Sequence, residues 1–343
     1  MGVFVFLPLV LPLTAWPVSR LAEQRLHPRT ATRLLTGVSA VMAVCSTVCL
    51  GLLMVVGTAQ LPGNPLPDGW SDPEVRRAVP YDGIAGRAAI PALCAVALLC
   101  GRTLLRHRRV RRRAHRALAG LPDTEVVVLP DGTPYAYALP GDRGGRGDRG
   151  GRGGGGGRRN RRDSWNRWGR WERRDRIVVT TALLDRLEPA ERRALFAHER
   201  AHLTARHHRH LLAVGLAARA NPFLWPLRTA VAYSAERWAD EDAAREVGSR
   251  RTVARAIGRA ALVSSGAPLP GLAGIAGFAA PGPVPRRVTA LLGPAPAVRR
   301  WPPVFTTVGL AVWGAAAGTA VSAMSSANSA VTLLFILHAA THL

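Results

Sequence analysis

His198-Glu199-Arg200-Ala201-His202 is the stretch of the chain whose residue types and spacing carry the clearest chemistry. At 3.6 residues per helical turn the two histidines stack on one face, so both imidazoles can reach a single Zn²⁺ at about 2.1 Å, with Glu199 beside them as a base for water. A zinc site that acts on a substrate needs a third protein ligand and one open position. Ser234-Ala235-Glu236-Arg237-Trp238-Ala239-Asp240 offers a candidate. Glu236 and Asp240 would share a helix face four residues apart, so Glu236 can ligate while Asp240 reaches the free N–H of a ligand histidine. Read alone, Glu236, Asp240, Glu241 and Asp242 are better taken as a solvated acidic cluster answering nearby arginines; paired with the histidine motif, the ligand reading is preferred. No further oxyanion donor stands out; His207, His208 and Arg287 are unranked options.

The elements that must position these groups follow from the local pattern. Leu187-Glu188-Pro189 leads into a helix beginning near Ala190, and Arg176 to Thr180 is a short β-branched run. Residues 125 to 139 alternate β-branched and aromatic side chains around Pro130-Asp131-Gly132, which predicts a hairpin. His207, His208 and His210 read as ordinary exposed histidines, and His338 and His342 as interfacial ones. Residues 141 to 175 are Gly/Arg repeats followed by Trp165, Trp168 and Trp171 among arginines. Such a segment cannot bury enough apolar surface to offset its ordering entropy, so it is expected to be disordered, either as a solvated insertion or as a contact for RNA or anionic lipid.

Composition sets the wider frame and excludes an ordinary soluble protein. The chain has 343 residues, 48% of them apolar, yet its 46 basic residues, all arginine, outnumber 22 acidic ones and leave a net charge of +24. That combination requires segregated blocks and an anionic partner. Residues 3 to 18, 34 to 57, 84 to 105 and 304 to 323 are apolar enough to be membrane spans, and 329 to 343 is an apolar tail that could return as a fifth. Arginines concentrate between the first two spans (Arg20, Arg25, Arg29, Arg33), after the third (Arg106 to Arg116) and before the fourth (Arg286, Arg287, Arg299, Arg300). The positive-inside rule makes those stretches cytoplasmic and the acidic, proline-rich loop 58 to 83 external. Cys45, Cys49, Cys94 and Cys100 all fall within spans and read as small apolar packing residues.

The expected architecture is a multi-span α-helical membrane protein with a cytoplasmic α+β zincin-like domain, active-site helices packed on a small sheet. Residues 1–105 hold three N-terminal spans, 106–300 the cytoplasmic domain with its 141–175 insertion, and 301–343 a C-terminal span and tail. The expected location is the plasma membrane, multi-pass.

His-Glu-x-x-His followed by an apolar helix, then Asn221-Pro222-Phe223-Leu224-Trp225 and Glu236-x-x-Ala239-Asp240, resembles the integral-membrane gluzincin peptidases. These are the BlaR/MecR-type sensor-transducers and the HtpX-type heat-shock proteases with their prenyl-protein endopeptidase relatives. The run from Arg176 to His202 is similar to these families' edge strand and active-site helix, and Val284 to Leu292, with Arg287, resembles the stretch closing their catalytic domain. The resemblance covers about 121 to 292. It implies one zinc per chain held by His198, His202 and Glu236, Glu199 as general base and Asp240 behind the ligands. Two departures accompany it: no penicillin-binding domain follows the last span, and nothing in the pattern explains the Gly/Arg insertion.

The reaction implied is peptide hydrolysis near the inner leaflet. Its substrates would be membrane proteins, tethered regulators or a transcriptional repressor, with the strand around Ile177 to Thr180 pairing with an extended substrate. A rival reading is a non-catalytic membrane protein binding RNA or anionic lipid through 141 to 175, with steep salt dependence and no need of metal. A third is a pseudoenzyme retaining a structural metal, against which the intact Glu199 argues.

Overall fold

In a computed structural model, residues 7–58, 82–122, 124–141, 175–264, 284–296 and 303–341 are described. The expected disorder of 141 to 175 and the external loop of 58 to 83 therefore lie almost wholly outside the described residues. Helices dominate. In chain order they are α1 (Leu7–Val10), α2 (Ala15–Arg25), α3 (Pro28–Thr58), α4 (Asp82–Ala117), α5 (Thr181–Leu184), α6 (Pro189–Thr204), α7 (His207–Ala220), α8 (Trp225–Val247), α9 (Arg250–Ser264), α10 (Val284–Leu292) and α11 (Thr307–Thr341).

Three of them contain stretches long and apolar enough to cross a membrane: Pro28–Val55, Ile84–Ala117 and Val308–Ala339. Several of their large apolar side chains, among them Val44, Leu98 and Phe335, are exposed while others such as Leu35, Leu53 and Leu333 are buried, as suits helices with one side on protein and another on hydrocarbon. The first expected span differs from the expectation where it is described. Between Leu7 and Arg25 the chain forms α1, a 3-10 turn over Leu11–Thr14 and α2, because prolines at 8, 12 and 17 each remove a backbone donor. The C-terminal expectation also changes. Residues 307 to 341 form one helix of 35 residues, about 52 Å long at 1.5 Å per residue, and not a span with a separate tail.

Three short strands, β1 (Val126–Leu129), β2 (Ala136–Leu139) and β3 (Arg176–Thr180), make one sheet in the order β1-β3-β2. The expected hairpin over 125 to 139 does not form. Val126 to Leu129 pairs in parallel with Ile177 to Thr180, and β2 pairs antiparallel with β3 in the register Tyr137 to Val178. Asp131 explains the separation: its side chain accepts from the Thr133 amide at 2.8 Å and the Tyr135 hydroxyl at 3.1 Å, an Asx turn that opens the connection enough for β3 to enter. β3 is consequently central and bonded on both sides, so it is not the edge strand that the sequence suggested for substrate.

The sheet packs on α5, α6, α9 and α10 through a core that includes Val179, Leu183, Leu195, Ile257 and Leu291. A second core joins α2, α3, α7, α8 and α11 through Leu35, Val214, Leu227, Val231 and Val312. Helix α8 belongs to both, with Leu227 and Val231 in the second and Ala243 and Ala244 in the first. Its middle turns, Glu236 to Asp240, lie between the two cores. Cys45 and Cys49 are buried, Cys94 is exposed, and all four cysteines are free thiols.

Candidate metal centre

Helix α6 carries the histidine pair and is well anchored. Pro189 occupies its first turn, and Glu188 and Glu191 form a capping box, which satisfies amide donors that a helix start leaves open. Glu191, buried, also takes a 2.8 Å contact from Arg259 of α9. The apolar side of the helix, Ala194, Leu195 and Ala197, enters the core and fixes its rotation. That rotation turns His198, Glu199 and His202 inward, where all are buried.

The two histidine rings converge. His198 Nε2 and His202 Nε2 are 3.0 Å apart, His198 Nε2 lies 3.5 Å from one oxygen of Glu236 and His202 Nε2 lies 3.5 Å from the other. Ligand atoms held tetrahedrally about 2.0 to 2.1 Å from zinc are separated by about 3.3 Å. The three side chains therefore span one face of such a tetrahedron, and two imidazole nitrogens with a carboxylate oxygen are a donor set that zinc accepts. Among the described residues this is the group of histidine, cysteine and carboxylate side chains whose ligand atoms, all within 4.8 Å of one another, could hold a metal ion.

Behind these groups stands a second layer. Asp240 Oδ1 is 3.1 Å from His198 Nδ1, the distance of an N–H donated to a carboxylate. Arg287 of α10 then holds Asp240 with two bonds, Nε to Oδ2 at 2.9 Å and Nη2 to Oδ1 at 2.6 Å, and reaches Glu236 at 3.0 Å through Nη1. Arg287 is 1% exposed. Counted as a loop charge in the sequence, it is instead the buried counter-ion of both carboxylates. The sequence had offered it as an unranked oxyanion option and as the arginine of the Val284 to Leu292 stretch, but not as the partner of Asp240 and Glu236.

The electrostatics follow from burial and from this partner set. Burial works against the charged form of His198, but the carboxylates of Asp240 and Glu236 outweigh it and raise its pKa to about 9. Burial wins at His202, which falls to about 4 despite Glu236. Burial would raise Glu236 and Asp240, yet Arg287 holds both below the ordinary carboxylate range. Both acids are thus kept anionic, the state in which Glu236 can ligate and Asp240 can accept.

The structure brings together His198, Glu199, His202, Glu236 and Asp240, which the sequence had placed on two separate helices. It also corrects the expectation for His207, which is fully buried and contacts His202 through their Nδ1 atoms at 2.8 Å. His208 and His210 are partly buried and belong to α7 away from the ligand atoms. Glu241 does answer arginines, Arg237 and Arg250, as the acidic-cluster reading had it, but it is buried rather than solvated.

Residues 167–219 match the family model described as Peptidase family M48. The matched segment includes His198, Glu199, His202 and His207 and ends before α8, so it does not reach Glu236. No curated protein and no solved structure gives a significant match. The match over α6 and α7 supports an M48-type zinc metallopeptidase, and the His198, His202 and Glu236 cluster is compatible with a zinc site.

Proposed function

We propose that the protein is a membrane-embedded zinc endopeptidase that cuts membrane-associated or regulatory proteins on the cytoplasmic side of the plasma membrane. The observation that carries the reading is the convergence of His198 Nε2, His202 Nε2 and the Glu236 carboxylate at 3.0 to 3.5 Å from one another. Bound there, zinc would supply Lewis-acid polarisation of the scissile carbonyl and of the attacking water. Glu199 takes the proton from that water and returns it to the leaving amine as the C–N bond breaks. Asp240 and Arg287 do no chemistry of their own. They keep the His198 ring and the Glu236 carboxylate in one orientation while substrate and product exchange.

Two features support the membrane-proximal, cytoplasmic part of the reading. Arg29 and Arg33, in the first turns of α3, place their guanidinium carbons 5.4 and 5.3 Å from the ring centre of Trp238, so the site adjoins the end of an apolar helix. Arginines also crowd that end of α3 and the distal turns of α4, the distribution the positive-inside rule associates with cytoplasm. Because β3 is bonded on both edges, an extended substrate that joins the sheet must use β1 or β2. The test is proteolysis by purified protein in liposomes carrying a membrane-tethered substrate. Wild type is expected to cleave and Glu199→Gln to bind zinc without cleaving; equal cleavage by the two would remove Glu199 from its role and the proposal with it.

A further inference from the structure

Each ligand histidine has a second ring nitrogen, and the two are handled differently. His198 Nδ1 faces the carboxylate of Asp240 at 3.1 Å. Among the described residues His202 Nδ1 has no carboxylate partner; it lies 2.8 Å from Nδ1 of His207. Two imidazole nitrogens at that distance form a hydrogen bond only if one carries the proton and the other is bare. His202 directs Nε2 toward His198 and Glu236; if that nitrogen is to hold an ion it must be unprotonated, so the ring's proton sits on Nδ1 and His207 Nδ1 is the acceptor. His207 then bears its own proton on Nε2.

Helix periodicity alone would not create this contact. In an unbroken helix His207, five positions after His202, would point about 140° away from it. The chain breaks the helix between them. Arg206 adopts the left-handed region at φ 53° and is the N-cap of α7, a conformation that non-glycine residues adopt at an energetic cost. The turn folds His207 back beneath His202, with ring centres 4.7 Å apart and nearly perpendicular. The far side of His207 is closed by Trp238, again edge to face at 4.7 Å. Trp238 is itself fixed: its indole N–H donates to Asp242 at 3.0 Å, and Arg29 and Arg33 approach its ring. Helix α8 thus supplies Glu236 for the ion, Asp240 for one histidine, and Trp238 as a wall for the group serving the other.

We propose that His207 is the positioning residue of His202: its bare Nδ1 accepts the His202 Nδ1 proton and sets that ring's tautomer and rotation, as Asp240 does for His198. The proposal rests on reading His202 as a zinc ligand. A group in this position typically changes metal affinity by about 10- to 100-fold when lost. Asparagine places an amide oxygen near the position of Nδ1, whereas glutamine carries its amide to the position of Nε2; both are polar and similar in bulk.

The experiment measures zinc affinity of the detergent-purified full chain by chelator competition, together with the visible absorption band of the Co²⁺-loaded protein, for wild type, His207→Asn and His207→Gln. Wild type and His207→Asn are expected to bind with similar affinity and the same band, and His207→Gln to bind about 10- to 100-fold more weakly with a shifted band. Equal affinities for all three, or equal losses in both variants, would overturn the positioning role while leaving the zinc reading in place. A wild type that binds no zinc would overturn both.

Discussion

Arg287 is the residue whose removal should disturb the centre most, and the structure allows the size to be worked out. Its guanidinium makes two bonds to Asp240 and one to Glu236 while only 1% exposed. Arg287→Met keeps much of the volume and removes the charge, leaving the buried Asp240 carboxylate and the partly buried Glu236 carboxylate with only histidine partners. Breaking a buried ion pair by deleting one member typically costs about 3 to 5 kcal/mol, mostly the penalty of the charge left behind. For a domain of roughly 150 to 250 residues each kcal/mol moves the melting temperature by about 2 to 4 °C, so the variant should melt about 6 to 20 °C below wild type. The comparison belongs in detergent without added metal, because a bound divalent cation would itself compensate the carboxylates. Adding Asp240→Asn to Arg287→Met removes one of the orphaned charges and should recover part of the loss, a coupling that a double-mutant cycle reads directly. Arg287→Lys, which keeps the charge but not the two-pronged geometry, should fall between. A melting temperature for Arg287→Met within 2 °C of wild type, or no coupling to Asp240, would refute the assignment of Arg287 as the counter-ion of the site.

Other perturbations test separate parts of the account. Glu236→Gln should weaken zinc binding measured by chelator competition and abolish hydrolysis in the liposome assay, whereas Glu241→Gln, whose partners are Arg237 and Arg250, should leave zinc binding unchanged. His208 is held at a pKa of about 4, first by burial and then by Arg111 and Arg209, against about 6.5 in the unfolded chain. The unfolded state binds more protons between those values, so this group's stabilisation is complete above about pH 6.5 and lost as the pH falls toward 4. Thermal melts across that window should therefore show a smaller decline for His208→Gln than for wild type. Glu191→Ala removes one arm of the capping box and the Arg259 contact, and should destabilise by about 1 to 2 kcal/mol in the same melting assay.

How much of this was legible in the sequence depends on the range of the interaction. His198, Glu199 and His202 are set by one helix, and Glu236 and Asp240 by another, so spacing could group each set on a helix face, while Glu236 and Asp240 read alone also fitted a solvated acidic cluster. The long apolar helices declared themselves by length. What the sequence could not show were interactions decided between distant elements. Val126 to Leu129 and Ala136 to Leu139 looked like neighbours across a turn, but the partner of both is a later strand, Arg176 to Thr180, far beyond that turn in the chain. Arg287 drew notice as a loop charge, an unranked oxyanion option and part of a family-like stretch, but its acids, 47 and 51 positions earlier in the chain, could not be named. His207 was hidden by the left-handed residue at Arg206, a backbone choice that no side-chain pattern announces. The prolines near the N-terminus were visible, and they account for the short helices found where a span was expected.

Zinc K-edge X-ray absorption on the purified chain reads directly which atoms hold the ion. The predicted spectrum contains two imidazole nitrogens and oxygen scatterers at about 2.0 to 2.2 Å, with no sulfur. It should be lost in His198→Ala and retained in a variant with all four cysteines replaced by serine. A sulfur shell at about 2.3 Å, or a wild-type chain carrying no stoichiometric zinc, would contradict the His198, His202 and Glu236 site.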